Sequence, residues 1–488
     1  MTKDYNFQSQ RSPKWNEISD EDLTVNSIKY NSEKIADAGR GSDISFINVP
    51  DQFMAGLSEP ISINSGKTDA SVTTNPILQE NSAELISTGR TQYTCNKKDT
   101  IIKSNKNEFL TNLEIELYRG LREKGIHNFD VEEADGKIMM PYLGNNIKEF
   151  FNTIYLELLF DATKNNFSPQ KAREICEEIL QAVTEKCFDR IIEYNIASEQ
   201  ILSKEDKIDI KKFNKDRLMS SMNLSTKDVK KNYFLFRIAE CLPNLQNDEL
   251  AAFQPIADIL ENTMQNSSWS LDSHPENIII TPGNLKPEEY TNKCNFDIYI
   301  VDYNRVRESS IFMQYARIMD AFIPLKLASL SREETNSPYV IPGTNKSDFL
   351  IKKYFLAYFY QKSKEKGLFN LAENEIQNPD ITSQVCRLYI GLRNTWNTFR
   401  KKLVKSNNYT DVVNNYSEVQ FYLAVVKESL LAVQTLQNFY KNKNPNFIDN
   451  DLDTQKIAII LDKTIMKSIG DCGIEKKLND AKKWQYEL

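Results

Sequence analysis

Three side chains in the second half of the chain have the types and spacing that phosphoryl chemistry asks for. In Ser270-Leu-Asp-Ser-His-Pro-Glu-Asn-Ile-Ile-Ile280, four residues separate Asp272 from Asn277, and an apolar run starts directly after the asparagine. Ile298-Tyr-Ile-Val-Asp-Tyr-Asn304 ends a second apolar run on Asp302. Moving a phosphoryl group from a nucleotide to a hydroxyl takes an acid to orient the attacking group. It also takes an amide oxygen and a carboxylate to hold magnesium. Asp272 fits the first role, and Asn277 with Asp302 fits the second. A plain hairpin with polar ends would use the same residue types without chemistry.

The D-x-x-x-x-N spacing matches the protein-kinase catalytic loop. The wording around it resembles more closely the H-G-D-x-H-x-x-N-I-L loop of aminoglycoside phosphotransferases and choline kinases. I-V-D-Y-N likewise resembles their I-D-F-x-x metal strand. The first histidine of that pattern is replaced by Ser270, His274 stands at the second, and no glycine follows Asp302. The resemblance implies an α+β, bilobal protein kinase-like fold with a small β-rich N-lobe and a large, mainly helical C-lobe. It further implies ATP and Mg2+ as cofactors, a catalytic Asp272, and Asn277 and Asp302 as metal ligands.

Such residues work only if other elements bring the nucleotide to them. Glu84 to Thr94 reads as two strands around a turn at Gly89, where a kinase-like fold covers the phosphates. Thr100-Ile-Ile-Lys103 has the texture of the strand that carries the phosphate-binding lysine. Phe109, Leu113, Leu117 and Leu121 recur every four residues and predict an amphipathic helix over residues 108–124. Glu114 on that helix would return a carboxylate to Lys103, and Glu108 or Glu116 would serve nearly as well. Residues 130–133 and 137–140 read as strands around Asp135-Gly136. Met139-Met-Pro-Tyr-Leu-Gly144 then resembles the hinge, with Met140, Tyr142 and Leu143 at the adenine and Asn145 capping a helix from Ile147.

Residues 147–265 are helical in pattern, with Ile175, Ile179, Val183 and Cys187 on one stripe and one helix over residues 250–264. The charge-dense residues 204–217 read as a solvated insertion. After Asp302, Arg305 and Arg307 either meet phosphate or pair with Glu308. Val385 to Leu403 and Val419 to Leu436 carry two long amphipathic stripes, and a last helix pair closes the chain. The expected division is therefore an extension over 1–82, an N-lobe over 83–143, a C-lobe over 144–330 and a helical region over 331–488.

The totals narrow the function classes. With 488 residues there is ample core for two or three units. A net charge of −7 offers no basic field to recruit nucleic acid. Seven cysteines without C-x-x-C pairs argue for a reducing compartment and against a zinc site, and two histidines exclude a multi-histidine metal centre. Neither a long apolar run nor a signal-peptide pattern is visible, so the expected location is cytoplasmic or, after export without such a signal, a host cytosol. The Ser/Asn-rich extension and Asn/Lys/Ile-rich composition would suit a bacterial effector. The acceptor reads as a hydroxyl on a small molecule, a lipid headgroup or a protein. The competing readings are a pseudokinase, a nucleotidyl-transferring relative, and a helical interaction protein whose D-x-x-x-x-N spacing is chance.

Overall fold

The computed structural model describes most of residues 84–147, 149–154, 169–222, 233–264, 267–319, 346–368, 379–443 and 452–471. The extension over 1–82, the turn at Gly89 and the second helix of the closing pair lie outside the described residues. Five antiparallel strands form the first sheet: β1 (Glu84–Ser87), β2 (Thr91–Asn96), β3 (Thr100–Asn105), β4 (Glu132–Ala134) and β5 (Lys137–Pro141). Their order is β1-β2-β3-β5-β4, which puts β3 in the middle. Lys103 lies opposite Tyr93 on one side and Ile138 on the other. A lysine in a central strand cannot reach solvent across a covered face, so its position demands a buried partner.

Helix α1 (Glu108–Glu123) covers that strand. Asn107 caps it by accepting the Leu110 N–H at 3.2 Å, and Glu108 in the first turn suits the helix dipole. At the other end Gly125, with φ +71°, turns the chain, and the Ile126 N–H reaches back to the Leu121 carbonyl. Leu113, Leu117 and Leu121 are buried as the spacing predicts. Fully burying a leucine such as Leu117 contributes roughly 1.5–3 kcal/mol.

Two small sheets carry the later motif. Strands β7 (Ile278–Thr281) and β8 (Asp297–Ile300) pair antiparallel, with Ile278 opposite Ile300. Strands β6 (Ser267–Ser270) and β9 (Arg307–Ser310) pair with Ser270 opposite Arg307, and this second ladder was not expected. Gly144 ties the end of the first sheet to β7. Its φ is +129°, and a Cβ there would stand 2.9 Å from the Ile280 carbonyl oxygen, so only glycine fits. The neighbouring Asn145 carbonyl accepts the Ile280 N–H at 3.2 Å.

The helices are α2 (Pro169–Ile201), α3 (Lys204–Met222), α4 (Tyr233–Cys241), α5 (Asn247–Ala251), α6 (Gln254–Thr263), α7 (Ile311–Met319), α8 (Lys346–Glu365), α9 (Pro379–Lys401), α10 (Tyr409–Lys443) and α11 (Thr454–Asp471). The single helix expected over 250–264 is broken, because Phe253 turns into the core between α5 and α6. The charge-dense stretch is helix α3, whose described residues are exposed or half-exposed apart from the buried Ile210 that anchors it. Helix α9 packs on α7, α4 and α6, and Val385, Leu388 and Leu392 share one hydrophobic core with Leu117 and Ile300. No helix among the described residues is long and apolar enough to cross a membrane.

Candidate active site

Lys103 is wholly buried, and its Nζ lies 2.5 and 2.6 Å from the two carboxylate oxygens of Glu114. A third oxygen, Asp302 Oδ1, also lies at 2.5 Å. Of the three glutamates weighed on α1, Glu108 and Glu116 point to solvent, and Glu114 is the buried one. One ammonium thus faces two carboxylates, a set with acid to spare. Glu114 also accepts the Tyr303 N–H at 3.1 Å, which fixes the chain immediately after Asp302.

Asp302 adopts φ 67° and ψ 64°, the left-handed region, where a non-glycine residue carries strain. The surroundings hold it there. Its N–H donates to the Tyr118 hydroxyl, and Tyr303 is buried beside Tyr118 with ring centroids 4.3 Å apart. The Tyr303 hydroxyl bonds the Ile300 carbonyl and sits 2.7 Å from His127 Nε2. Burial, with a smaller push from Arg190, pulls His127 down to about 3, so the imidazole is neutral near pH 7.

Asn277 is held from both sides. Its side-chain amide donates to the Asp272 carbonyl at 3.0 Å, and its own carbonyl accepts the Val301 N–H at 2.9 Å. The loop with Asp272 and the strand that ends on Asp302 are therefore stitched together at Asn277. With the amide nitrogen engaged, the amide oxygen is the end that could face a cation. An amide oxygen and one carboxylate are hard donors suited to Mg2+, which takes its remaining ligands from phosphate and water. No cluster of three His, Cys, Asp or Glu residues with metal-binding geometry occurs among the described residues.

Asp272 sits in the opposite electrostatic setting. Its Oδ1 accepts from Arg307 at 2.8 Å and from Arg317 at 3.1 Å, while Arg305 Nη1 lies 3.6 Å from Oδ2. Burial alone would raise this carboxyl. The Arg307, Arg317 and Arg305 guanidiniums together outweigh it and hold the group well below the usual carboxylate range. Burial and the neighbouring Arg307 bring Arg317 down to about 9, against the pull of Asp272. The pairing of Arg307 with Glu308 does not occur. Residues alternate faces along β9, and Glu308 meets Lys211 at 2.8 Å instead.

The remaining expected residues fall as follows. Met140 is buried in β5, with its sulfur 3.8 Å from the Tyr118 hydroxyl, so its side chain is core and only its backbone borders the hinge. Tyr142 is exposed and donates to Asn145 Oδ1, and Leu143 is half-buried. Asn146, not Asn145, caps the next turn by accepting the Glu149 N–H at 3.0 Å. His274 is half-exposed and accepts from the Glu276 N–H at the start of the turn over Pro275–Asn277. Arg317 and Arg393 were not anticipated. The signal for Arg317 was a lone cation in a largely apolar helix, Ile311 to Met319, which needs an acid to face. A cavity of about 600 Å³ opens elsewhere, among Lys124, Asp189, Glu193, Gln200, Lys362 and others.

No protein family and no curated protein matches the chain. Solved structures similar to it include an aminoglycoside phosphotransferase from Alicyclobacillus acidocaldarius, at 11% identity and a TM-score of 0.32, covering 76% of this chain and 99% of that one. A Plasmodium vivax ethanolamine kinase is 8% identical with a TM-score of 0.36, covering 71% and 84%. The GDP complex of wild-type aminoglycoside 2'-phosphotransferase-IIIa is 11% identical with a TM-score of 0.33, covering 75% and 95%. At such TM-scores the likeness carries no weight below, where the geometry alone is used.

Proposed function

We propose that the chain is an ATP- and magnesium-dependent phosphotransferase that acts on an alcohol. The observation that carries this reading is the buried ion cluster of Lys103, Glu114 and Asp302, set beside an Asn277 that is bonded to the Asp272 loop. Lys103 would hold the nucleotide phosphates, with Glu114 keeping it in place. The backbone over Met140 to Leu143 would border the adenine. Asn277 and Asp302 would hold Mg2+, which supplies charge neutralisation for the β- and γ-phosphates.

Asp272 then orients the acceptor. Oδ1 is taken by two guanidiniums, so Oδ2 is the oxygen that accepts the hydroxyl's hydrogen bond. The hydroxyl oxygen bonds to the γ-phosphorus as the bond from that phosphorus to the ADP oxygen breaks. The hydroxyl proton leaves for solvent, since a carboxylate held this acidic is a poor proton store. Positioning and electrostatics do most of the work in such a transfer.

The test is incubation with ATP labelled on the γ-phosphate and, separately, on the α-phosphate, with Asp302→Asn as control. Label moving only from the γ-position, and at least about 10³-fold more slowly in the variant, is the expected result. Equal signal from both proteins removes the reading. A specific observation favours one second reading. Ser270 replaces the pattern's histidine and bonds the Arg307 carbonyl, while Asp272 is engaged by arginines, as in a nucleotide-binding scaffold without turnover. Nucleotide binding with no transferred label decides for that scaffold.

A further inference from the structure

The arginines around Asp272 outnumber the acid they surround. Arg307 and Arg317 share a single carboxylate oxygen, and Arg305 approaches the other. A fourth guanidinium, Arg393, stacks over Tyr389 at 5.7 Å on α9, which packs against the α7 that carries Arg317. Guanidiniums stay charged at neutral pH, so one neutralising carboxylate leaves a surplus of positive charge. That surplus is also poorly solvated: the Arg317 side chain is only 7% exposed, and Arg307 Nε is buried without a hydrogen-bond partner.

Among the described residues, neighbouring acids are engaged elsewhere. Glu308 is spent on Lys211, Glu240 on Arg237, and Glu428 on Arg387. Asp380 at the start of α9 receives the Tyr440 hydroxyl. Burying cations together without counter-charge is unfavourable, and a fold tolerates it where an anionic ligand completes the set. Planar guanidiniums converging from two or more elements are suited to an oxyanion, which each can bind through two N–H groups.

We propose that the acceptor alcohol carries its own anionic group, a phosphate, held by Arg307 and Arg317 between β9 and α7, with Arg393 on the adjoining α9. This rests on the transfer reading above and names the class of its substrate. Arg305 stands apart from the three, being more than half exposed and directed at Oδ2, where the transferring phosphoryl group would approach. The acceptor's phosphate would sit on the Oδ1 side and its hydroxyl on the Oδ2 side. Such a molecule is a phosphorylated polyol, either free or as the headgroup of an anionic lipid.

The experiment uses the full chain saturated with Mg2+ and a non-hydrolysable ATP analogue, titrated with inorganic phosphate by calorimetry. Saturable binding is expected, weakened tenfold or more by Arg307→Gln and by Arg317→Gln, and partly restored in Arg317→Lys. Arg307 is partly exposed, so its variant is the one least exposed to a folding defect, and circular dichroism checks both. Absence of phosphate binding to the wild-type chain, or binding by both glutamine variants as tight as that of the wild-type chain, overturns the proposal. Glycerol 3-phosphate and vesicles of phosphatidylglycerol in phosphatidylcholine then compete against the bound phosphate. Displacement by either supports the proposal and names the source, and displacement by neither overturns it. Failure of the analogue to bind in the first step instead removes the transfer reading. The phosphate titration of the nucleotide-free chain then still decides whether the arginines form an anion site.

Discussion

Among the described residues, two ion clusters meet at the Asn277 turn, one buried and one only partly so, and they are imbalanced in opposite directions. Around Lys103, one ammonium meets the carboxylates of Glu114 and Asp302. Around Asp272, one carboxylate meets the guanidiniums of Arg305, Arg307 and Arg317. Each imbalance costs stability in an isolated chain, since buried charge is tolerated only when paired. Together they make sense as two halves of a transfer site. On the proposed function the acid-rich half would accommodate a divalent cation, and the base-rich half would accommodate phosphate oxygens. The difference teaches that affinity here is stored as missing counter-charge, and it predicts that neutralising equivalent residues in the two halves has opposite consequences.

The largest effect tests that asymmetry directly. Asp272→Asn removes the one carboxylate that meets these guanidiniums among the described residues and is expected to destabilise the chain by about 3–5 kcal/mol, the cost of breaking a buried pair. Asp302→Asn instead leaves a balanced Lys103–Glu114 pair, and asparagine tolerates the left-handed backbone that Asp302 occupies. Its expected change is within about 1 kcal/mol. Urea midpoints of the two variants read the contrast, and equal losses from both would end the idea of opposite imbalances.

Much of the acid-rich half was legible before any coordinates. The strands up to β5, the helix α1 and the pair β7–β8 show in period and turn chemistry, because each is a local pattern. Which glutamate meets Lys103 was not legible: residues 108, 114 and 116 all lie within reach of a helix face, and only packing buries one of them. The base-rich half was largely invisible. Its strand Ser267–Ser270 has little apolar content and pairs with Arg307–Ser310, forty residues away in register. Arg317 and Arg393 come from helices whose meeting depends on the whole core. The cap at Asn146 in place of Asn145 is a smaller instance, since two adjacent asparagines offer the same signal and the bridge from Asn145 to Ile280 decides between them.

An intermediate effect concerns the aromatic support under Asp302. His127 has a folded-state value near 3 against 6.5 in an unfolded chain. A base whose value is lowered by folding contributes stability that is fully present above pH 6.5 and lost as pH falls from there toward 3. The expected slope is about 1.4 kcal/mol per pH unit, so roughly 2 kcal/mol should be lost between pH 7 and pH 5. His127→Gln should remove most of that dependence while the arginine-held Asp272, which titrates far lower, contributes none in this window. Identical pH profiles for variant and wild type would show that the acid-rich half does not lean on a neutral imidazole.

The smallest effect is the most exacting for the comparison. Glu308 is the neighbour of Arg307 in sequence and the acid most able to cancel the surplus around Asp272. Strand alternation sends it to the other face of β9, where it meets Lys211 in a pair with side chains 57% and 35% exposed for Lys211 and Glu308. Exposed pairs of this kind are screened and contribute little, so Glu308→Gln should change stability by less than about 0.5 kcal/mol. It should also leave inorganic phosphate binding as it was. A loss of stability comparable to that of Asp272→Asn, or a gain in phosphate affinity on removing the acid, would mean that Glu308 already neutralises the guanidiniums. The base-rich half would then carry no surplus, and its contrast with the Lys103 cluster would vanish.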